Sequence, residues 1–458
     1  MNILYFHTHD SGRYFRHYGH ADAPTPFISD WALKEALSFR NAFTACPTCS
    51  PSRASLLTGS YPHQNGMLGL AHRGFALNDY SKHLAQFLRR NGYRTVLCGV
   101  QHEAAGCFDH AAGAKRIGYA EDLTIDLESP EPDGNNTARW DLENTRRAAD
   151  WLSRDREEPF FMACGLFSTH REYPDPPDLD PKLVKPMPKL AETSENRSDQ
   201  ARFLKSLSIA DRCFRTVMEG LEAGPNAAET LVIFTTDHGP AVPFSKSRLN
   251  TEGLGVALSI KLPGPKAAKS FSNALVSTVD IFPTLCELAG LTAPTGLQGK
   301  SFVHLFQERE DHQQKDEHRE QIFSEMNFHT SYEPMRAVRT RNYSLVRHYD
   351  REYPYTHMSN IDDSPAKTLL AVNGLARRPQ APEELFNLEA DPLEQQNLID
   401  DPAYADQAEA LRTYLEKWQR ETGDPLLEGR IQAPAGSIVN TAACLTPDSK
   451  NPDDYESR

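Results

Sequence analysis

Thr230-Leu231-Val232-Ile233-Phe234-Thr235-Thr236-Asp237-His238-Gly239 is the stretch on which the fold turns. Its first seven residues are β-branched or aromatic apart from one leucine, the composition of a strand buried on both faces. Upstream, Ser198 to Glu222 carries Phe203, Leu207, Ala210, Phe214, Val217 and Leu221 at spacings of three and four, which predicts a helix with one apolar face. The same alternation recurs toward the N-terminus. Thr137 to Arg154 predicts a helix with Trp140, Ala148, Trp151 and Leu152 inward, and Pro159 to Phe167 the strand after it. Ser81 to Asn91, with Leu84, Phe87 and Leu88 inward and Asn91-Gly92 as its stop, precedes a strand over Arg94 to Gly99. Asn2 to His7 reads as a buried strand and Asp30 to Ala36 as a helix fragment. Helices alternating with buried strands predict an α/β fold, with a mostly parallel central sheet covered by helices on both faces.

In such sheets, functional groups collect where strands end. Asp10 follows the first strand, His102 follows Arg94 to Gly99, His170 follows Pro159 to Phe167, and Asp237-His238 follows Thr230 to Thr236. Core packing does not explain polar residues at four strand ends. Tyr173 to Leu190, dense in proline (Pro174, Pro176, Pro177, Pro181, Pro186, Pro188), is expected to be a loop that lines or covers the rim after His170. Past about Glu320 the character changes. Met335 to Thr340 and Tyr343 to Arg347 alternate as antiparallel strands, and Ala405 to Thr422 is the last strong helix. The expected organisation is a catalytic domain over residues 1–320 and a smaller C-terminal α+β subdomain over residues 321–458. The tail after Pro434 shows no periodicity and is expected to be loosely ordered.

Bulk properties narrow the class. At 458 residues, 39% hydrophobic and 24% charged, the chain has the composition of a soluble globular protein with a sizeable core. A formal net charge of −14 argues against nucleic-acid partners and against long-range attraction of a polyanion. No apolar run reaches the roughly eighteen residues of a membrane span. Met1-Asn2-Ile3-Leu4-Tyr5-Phe6 starts directly as a strand with no signal-peptide pattern, so the expectation is a cytoplasmic protein or one from which a signal has been trimmed. Eight scattered cysteines, Cys107 among them, do not look like a disulfide framework and point to a reduced compartment.

Cys49-Ser50-Pro51-Ser52-Arg53 runs on into Ser55-Leu56-Leu57-Thr58-Gly59 and Tyr61-Pro62-His63-Gln64-Asn65-Gly66. Cys46-Pro47-Thr48-Cys49 is also a CxxC pair, the form of a redox dithiol or half a zinc site. Structural zinc needs two further thiolate or imidazole ligands at short spacing, and no second CxxC exists. A cysteine with proline two residues on and arginine four on, continued by the two later runs, resembles the signature of type I sulfatases within the alkaline phosphatase superfamily. Glu384-Leu385-Phe386-Asn387-Leu388, Asp391-Pro392, Asn397-Leu398 and Glu416-Lys417-Trp418-Gln419 extend the resemblance over nearly the whole chain, most of all to the N-sulfoglucosamine sulfohydrolase (heparan N-sulfatase) group.

That resemblance implies a formylglycine-dependent hydrolase of a sulfated saccharide, acting on a sulfate ester or sulfamate. Cys49 would be converted by a formylglycine-generating maturase to Cα-formylglycine, whose hydrate attacks sulfur. Arg53, four residues along a helix starting near Pro51, shares a face with residue 49, and the helix N-terminus favours an anion there. The implied metal ligands are Asp10, Asp237, His238 and the modified residue 49. His9 stands where most sulfatases have a first aspartate. Oxygen ligands suit Ca²⁺ or Mg²⁺ and imidazole shifts preference toward Mn²⁺, with Ca²⁺ expected first. His9 is expected among the metal ligands, with support of a ligand or contact with substrate as its alternatives. His102 corresponds to the base beside the formylglycine, His170 to the group that protonates the leaving atom, and Lys246 to a sulfate-binding and acid residue. The lysine usual two positions before His102 is Val100, with Gln101, Arg13 or Arg73 as possible replacements. His72 and Arg73 are candidates for substrate binding or for a plain surface loop. Two alternatives share the fold: a phosphonate monoester hydrolase or phosphodiesterase, and an inactive binding protein with an unmodified Cys49.

Overall fold

Alternate residues of the first strand point to opposite faces, and each face is apolar. Leu4 and Phe6 join one buried cluster, Ile3 and Tyr5 another. A strand like this is stable only between two layers of helices. The computed structural model of the protein describes residues 1–105, 110–126, 133–176, 178–264, 270–307 and 316–456. Cys107 and Pro177 lie outside them. Strands β1 (Asn2–Thr8), β2 (Leu37–Phe43), β3 (Arg94–Gly99), β4 (Glu121–Asp122), β5 (Phe160–Gly165), β6 (Thr230–Thr236), β7 (Leu258–Lys261) and β8 (Phe271–Ser277) form one sheet, ordered β4-β3-β5-β1-β6-β7-β2-β8. Neighbours run parallel except at β7, which is antiparallel to both β6 and β2.

The helices Pro26–Glu35, Gly134–Leu152 and Ser194–Ala223 cover the Leu4 and Phe6 face. The six residues predicted to point inward from the long third helix are all buried. Leu56 and Leu57, the helix Leu84–Arg90 and the helix Ile281–Leu288 cover the Ile3 and Tyr5 face. Each large side chain so buried stabilises the fold by about 1.5–3 kcal/mol.

A second sheet follows, of β9 (Ile322–Phe328), β10 (Tyr332–Arg339), β11 (Tyr343–His348) and β12 (Glu383–Asn387), antiparallel in the order β12-β11-β10-β9. Its one face packs Val338, Leu345 and Leu385 against Leu411, Leu415 and Trp418 of the helix Ala405–Thr422. The other packs Met326, Met335 and Val346 against Phe43, Leu249 and Leu275, joining it to the first unit. His63 of the Tyr61–Gly66 run contributes to the same junction, its backbone N–H donating to Glu325 Oε1 at 2.8 Å.

The tail departs from expectation: it is fastened, not loose. Arg73 donates to the Ile438 carbonyl at 3.2 Å, to Asn440 Oδ1 at 2.8 Å and to the Pro447 carbonyl at 2.7 Å. Buried carbonyls need donors, and one guanidinium supplies several. Among the described residues, no helix is long and apolar enough to cross a membrane.

Candidate active site

Strands β1, β3, β5 and β6 run in one direction, so Asp10, His102, His170 and Asp237-His238 emerge on one edge of the sheet. β2 points the same way, because both it and β6 are antiparallel to β7. Its end leads into the helix Cys49–Thr58, which starts at Cys49 itself, two residues earlier than expected, and is buried along its whole length. This fifth strand end brings residue 49 to the others. Close approach of β3 to β5 at this edge requires glycine, since a Cβ on Gly99 (φ +86°) would lie 2.1 Å from the Gly165 carbonyl oxygen.

Asp10, Cys49, Asp237 and His238 form a buried cluster whose donor atoms all lie within 4.8 Å of one another. Asp10 adopts a left-handed backbone (φ +40°), a strained conformation for a residue with a Cβ. Its N–H donates to Asp237 Oδ1 at 2.9 Å. His238 Nδ1 faces the Gly239 carbonyl at 3.0 Å and must donate to it. In the neutral ring Nε2 is then a free lone pair, 3.3 Å from both Cys49 Sγ and Asp10 Oδ1. Two carboxylates, residue 49 and an inward imidazole nitrogen are a fitting donor set for a divalent cation.

The cations lie around this cluster. Arg53, 1% exposed, donates to Asp237 Oδ2 from Nε at 3.2 Å and Nη2 at 3.1 Å, and its Nη1 meets His7 Nδ1 at 2.9 Å. Lys246 Nζ donates to Asp10 Oδ2 at 3.0 Å and to Asp362 Oδ1 at 3.3 Å. Phe244 (φ +68°) and Ser247 (φ +63°) bracket it with left-handed backbone. Burial alone would raise the pKa of Asp10, but Lys246, His170 and His238 outweigh it and hold the carboxyl ionised, well below its usual range. For Asp237 burial is likewise outweighed, with Arg53 the permanent cation among the groups that hold its carboxyl ionised. Burial works against charge on Lys246, yet Asp10 and Asp362 keep its ammonium protonated, with the pKa well above its ordinary value.

A layer of histidines lies next to the ions. His9 Nδ1 is 3.2 Å from Asp10 Oδ1 and 3.1 Å from Asp237 Oδ2, while Nε2 has no hydrogen-bond partner among the described residues. Its ring meets those of His102 and His170 edge-on at 4.8 and 4.9 Å. Burial drives His9 and His102 to the neutral form, their pKa values well below the usual one. His170, its side chain 23% exposed, puts Nε2 3.8 Å from Asp10 Oδ2. His72 lies 6.2 Å from His102, ring to ring.

The structure thus brings together His9, Asp10, Cys49, Arg53, His102, His170, Asp237, His238 and Lys246, with His72 at the margin. Arg73 is turned away toward the tail. Val100, where a lysine is usual, is buried with Trp140 and Phe167. Arg13 donates to the Arg40 and Thr251 carbonyls at 2.7 and 3.4 Å, and Gln101 Oε1 accepts from Ala104 N–H at 3.0 Å. The two thiols of the CxxC run have separate partners, Cys46 with Thr48 Oγ1 at 3.2 Å and Cys49 with the ion cluster. Two residues escaped the sequence reading. Asp362 and buried His329 come from loops of the second unit, where no motif marks them. Burial, with Lys246 nearby, lowers the pKa of His329 to about 3. A cavity of about 490 Å³ begins beyond them, lined by Phe244, Arg248, Ile361 and Gln380, and holds none of the clustered donors.

Comparisons with known proteins find relatives over most of the chain. A family profile described as Sulfatase matches residues 2–291, and one described as N-sulphoglucosamine sulphohydrolase, C-terminal, matches residues 239–371. The chain is 29% identical over 473 residues to the N-sulphoglucosamine sulphohydrolase of Homo sapiens, covering 93% of this chain and 91% of that protein. It is 24% identical over 488 residues to an ulvan-active sulfatase of Formosa agariphila, covering 92% and 75%. A solved putative sulfatase from Bacteroides thetaiotaomicron superposes with a TM-score of 0.70 at 20% identity, covering 97% and 98%, a likeness of fold.

Proposed function

Because the chain belongs to the sulfatase family, hydrolases of sulfuric esters and sulfamates, we propose that it removes sulfate from a sulfated saccharide with a formylglycine at position 49. One observation carries this reading: three separate strand ends deliver Asp10, Cys49 and Asp237-His238 to one buried cluster. An unmodified Cys49 suits the chemistry poorly. Burial, together with Asp10 and Asp237, pushes its thiol pKa well up despite Lys246, so the sulfur is a protonated thiol and a weak nucleophile. The hydrated aldehyde supplies the nucleophilic oxygen that the thiol does not, so a formylglycine-generating maturase is an expected partner.

Asp10, residue 49, Asp237 and His238 would hold a divalent cation, which supplies positive charge for the sulfuryl group when bound. The oxygen donors favour Ca²⁺, while His238 and the nearby His9 widen the choice to Mn²⁺ as well as Mg²⁺. Arg53 and Lys246 neutralise the sulfuryl oxygens as charge builds on them. Neutral His102, packed edge-on against His9, is available as a base, and His170, partly exposed on the rim, gives the proton to the leaving oxygen or nitrogen. Residues 1–320 supply these groups, and the subdomain over 321–458 closes the rim with Asp362 and His329. The human relative's name points to glucosamine N-sulfate as the first saccharide to try.

The test is co-expression with a maturase, followed by mass spectrometry of the Cys49 peptide and assays of sulfate release from 4-nitrophenyl sulfate and glucosamine N-sulfate. An aryl phosphonate monoester serves as the comparison substrate. Aldehyde at position 49 with sulfate turnover is the expected result. Fully converted protein that cleaves the phosphonate and no sulfate would overturn the proposal.

A further inference from the structure

Asp362 belongs to the segment between β11 and β12, and its neighbours hold it in place. Asn360 Oδ1 accepts from the N–H groups of Thr330 and Ser331, both at 2.9 Å, and its amide donates to Glu333 Oε2 at 2.8 Å. Lys367 Nζ donates to the Ile361 carbonyl at 2.7 Å. A carboxylate so mounted is placed by the fold, not by a flexible loop. It reaches across to the first unit, where Lys246 Nζ lies 3.3 Å from Oδ1 and 3.3 Å from Oδ2. Lys246 makes its shorter contact, 3.0 Å, with Asp10.

Two details of this pair concern the substrate. The Lys246 side chain is 2% exposed and that of Asp362 is 15% exposed, so the outward charge of the pair is the carboxylate. Asp362 Oδ2 is buried, 3.3 Å from Lys246 Nζ, so the exposed surface of this side chain lies away from Oδ2. His329 Nδ1, close by, is buried and without a hydrogen-bond partner among the described residues. A saccharide seated over the cluster meets the partly exposed face of this carboxylate, beside histidines that burial keeps neutral.

We infer that Asp362 is a specificity-determining residue that accepts a hydrogen bond from a hydroxyl of the sulfated sugar and repels a sugar that carries its own carboxylate. The inference rests on the sulfatase reading above and adds a selection rule to it. A hydroxyl donor can bond to the exposed part of this carboxylate. A uronate carboxylate in the same place faces the partly exposed Asp362 carboxylate, and a like-charge juxtaposition of that kind discriminates strongly.

The experiment uses the full chain, converted at residue 49, and three probes: a hexuronate 2-sulfate, 4-nitrophenyl sulfate, and whichever of glucosamine N-sulfate and glucosamine 6-sulfate is cleaved faster. The wild type is expected to prefer the glucosamine substrate to the hexuronate by about 10-fold or more in kcat/KM. D362N, nearly isosteric, should shrink that preference by roughly 10-fold, mainly through KM. It should also lower the glucosamine rate relative to 4-nitrophenyl sulfate, which has no sugar hydroxyl but shares Lys246. D362A provides the same reading should the amide make a new contact, and circular dichroism checks the fold of both. A glucosamine-to-hexuronate ratio unchanged in both folded variants, or a wild type that prefers the hexuronate, overturns the role of Asp362. Failure of the converted wild type on all three sulfates instead overturns the sulfatase reading, and the inference with it.

Discussion

Arg53 is held at both sides of its guanidinium, by Asp237 and by His7, in a place that water does not reach. Replacing it by methionine in the metal-free protein takes from buried Asp237 the permanent cation bonded to it, which costs up to about 3–5 kcal/mol. The expected outcome is a urea midpoint lowered accordingly, together with loss of sulfate turnover; an unchanged midpoint would show that Asp237 finds another partner. His170 tests a different kind of role. As the proton donor, H170A should slow a poor leaving group such as a sugar hydroxyl by about 10²–10⁴-fold, and slow 4-nitrophenyl sulfate far less, since nitrophenolate leaves unprotonated. Equal losses on both would remove His170 from that role. Residues of this kind were legible because their spacing is local. Cys49 and Arg53 share a helix face by being four apart, and Asp237-His238 sits directly after an unmistakable strand. Asp362 and His329 offered no such signal. Ile361-Asp362-Asp363-Ser364 ahead of Pro365 reads as an ordinary helix start, and only the packing of the second unit turns Asp362 toward Lys246.

Asp141 shows how an element positions the rim. It lies in the helix Gly134–Leu152 and accepts hydrogen bonds from the N–H groups of Phe167, at 2.9 Å, and Ser168, at 2.7 Å, just after β5 and just before His170. Burial pushes its carboxyl up to about 7, even though these donors favour the charged form. The folded chain therefore binds this proton more tightly than the unfolded chain, whose aspartate titrates near about 4. The Asp141 contribution to stability is full below that value and is lost as pH rises through about 7. Urea midpoints of wild type and D141N between about pH 5 and 8 check this: the wild type should fall more steeply with rising pH, and parallel curves would refute the assignment. At this scale the sequence was uneven in what it revealed. β1, β3 and β6 each centre on consecutive buried apolar residues and were readable within a residue. β2 was not, because its register shifts between Phe39 and Asn41, which exposes Arg40 and breaks the period of two. β7 is only four residues long and antiparallel within an otherwise parallel sheet, so no alternating helix announces it. Losing β2 hid the reason Cys49 meets Asp10, although both were recognised singly.

The whole molecule carries a formal charge of −14, while the groups meant for sulfate, Arg53 and Lys246, are buried in a cluster with aspartates. Capture at the site is therefore local, and the long-range field opposes an anionic substrate on its way in. The fastened tail belongs to the same picture, since Arg73, a cation near the rim, is used on the Ile438 and Pro447 carbonyls and adds little attraction. Salt shortens the reach of such repulsion to about 10 Å at 0.1 M and leaves buried pairs nearly untouched. For a saccharide with several sulfates, kcat/KM should rise roughly two- to threefold as NaCl is raised from about 10 to 150 mM. For singly charged 4-nitrophenyl sulfate the rise should be smaller, because fewer charges are repelled while the same buried cations receive the sulfate. Stopped assays at matched substrate concentrations, well below KM, isolate this approach step from turnover. A kcat/KM that falls steeply with salt would mean that a cationic surface around the rim, and not the buried pair, draws the substrate in.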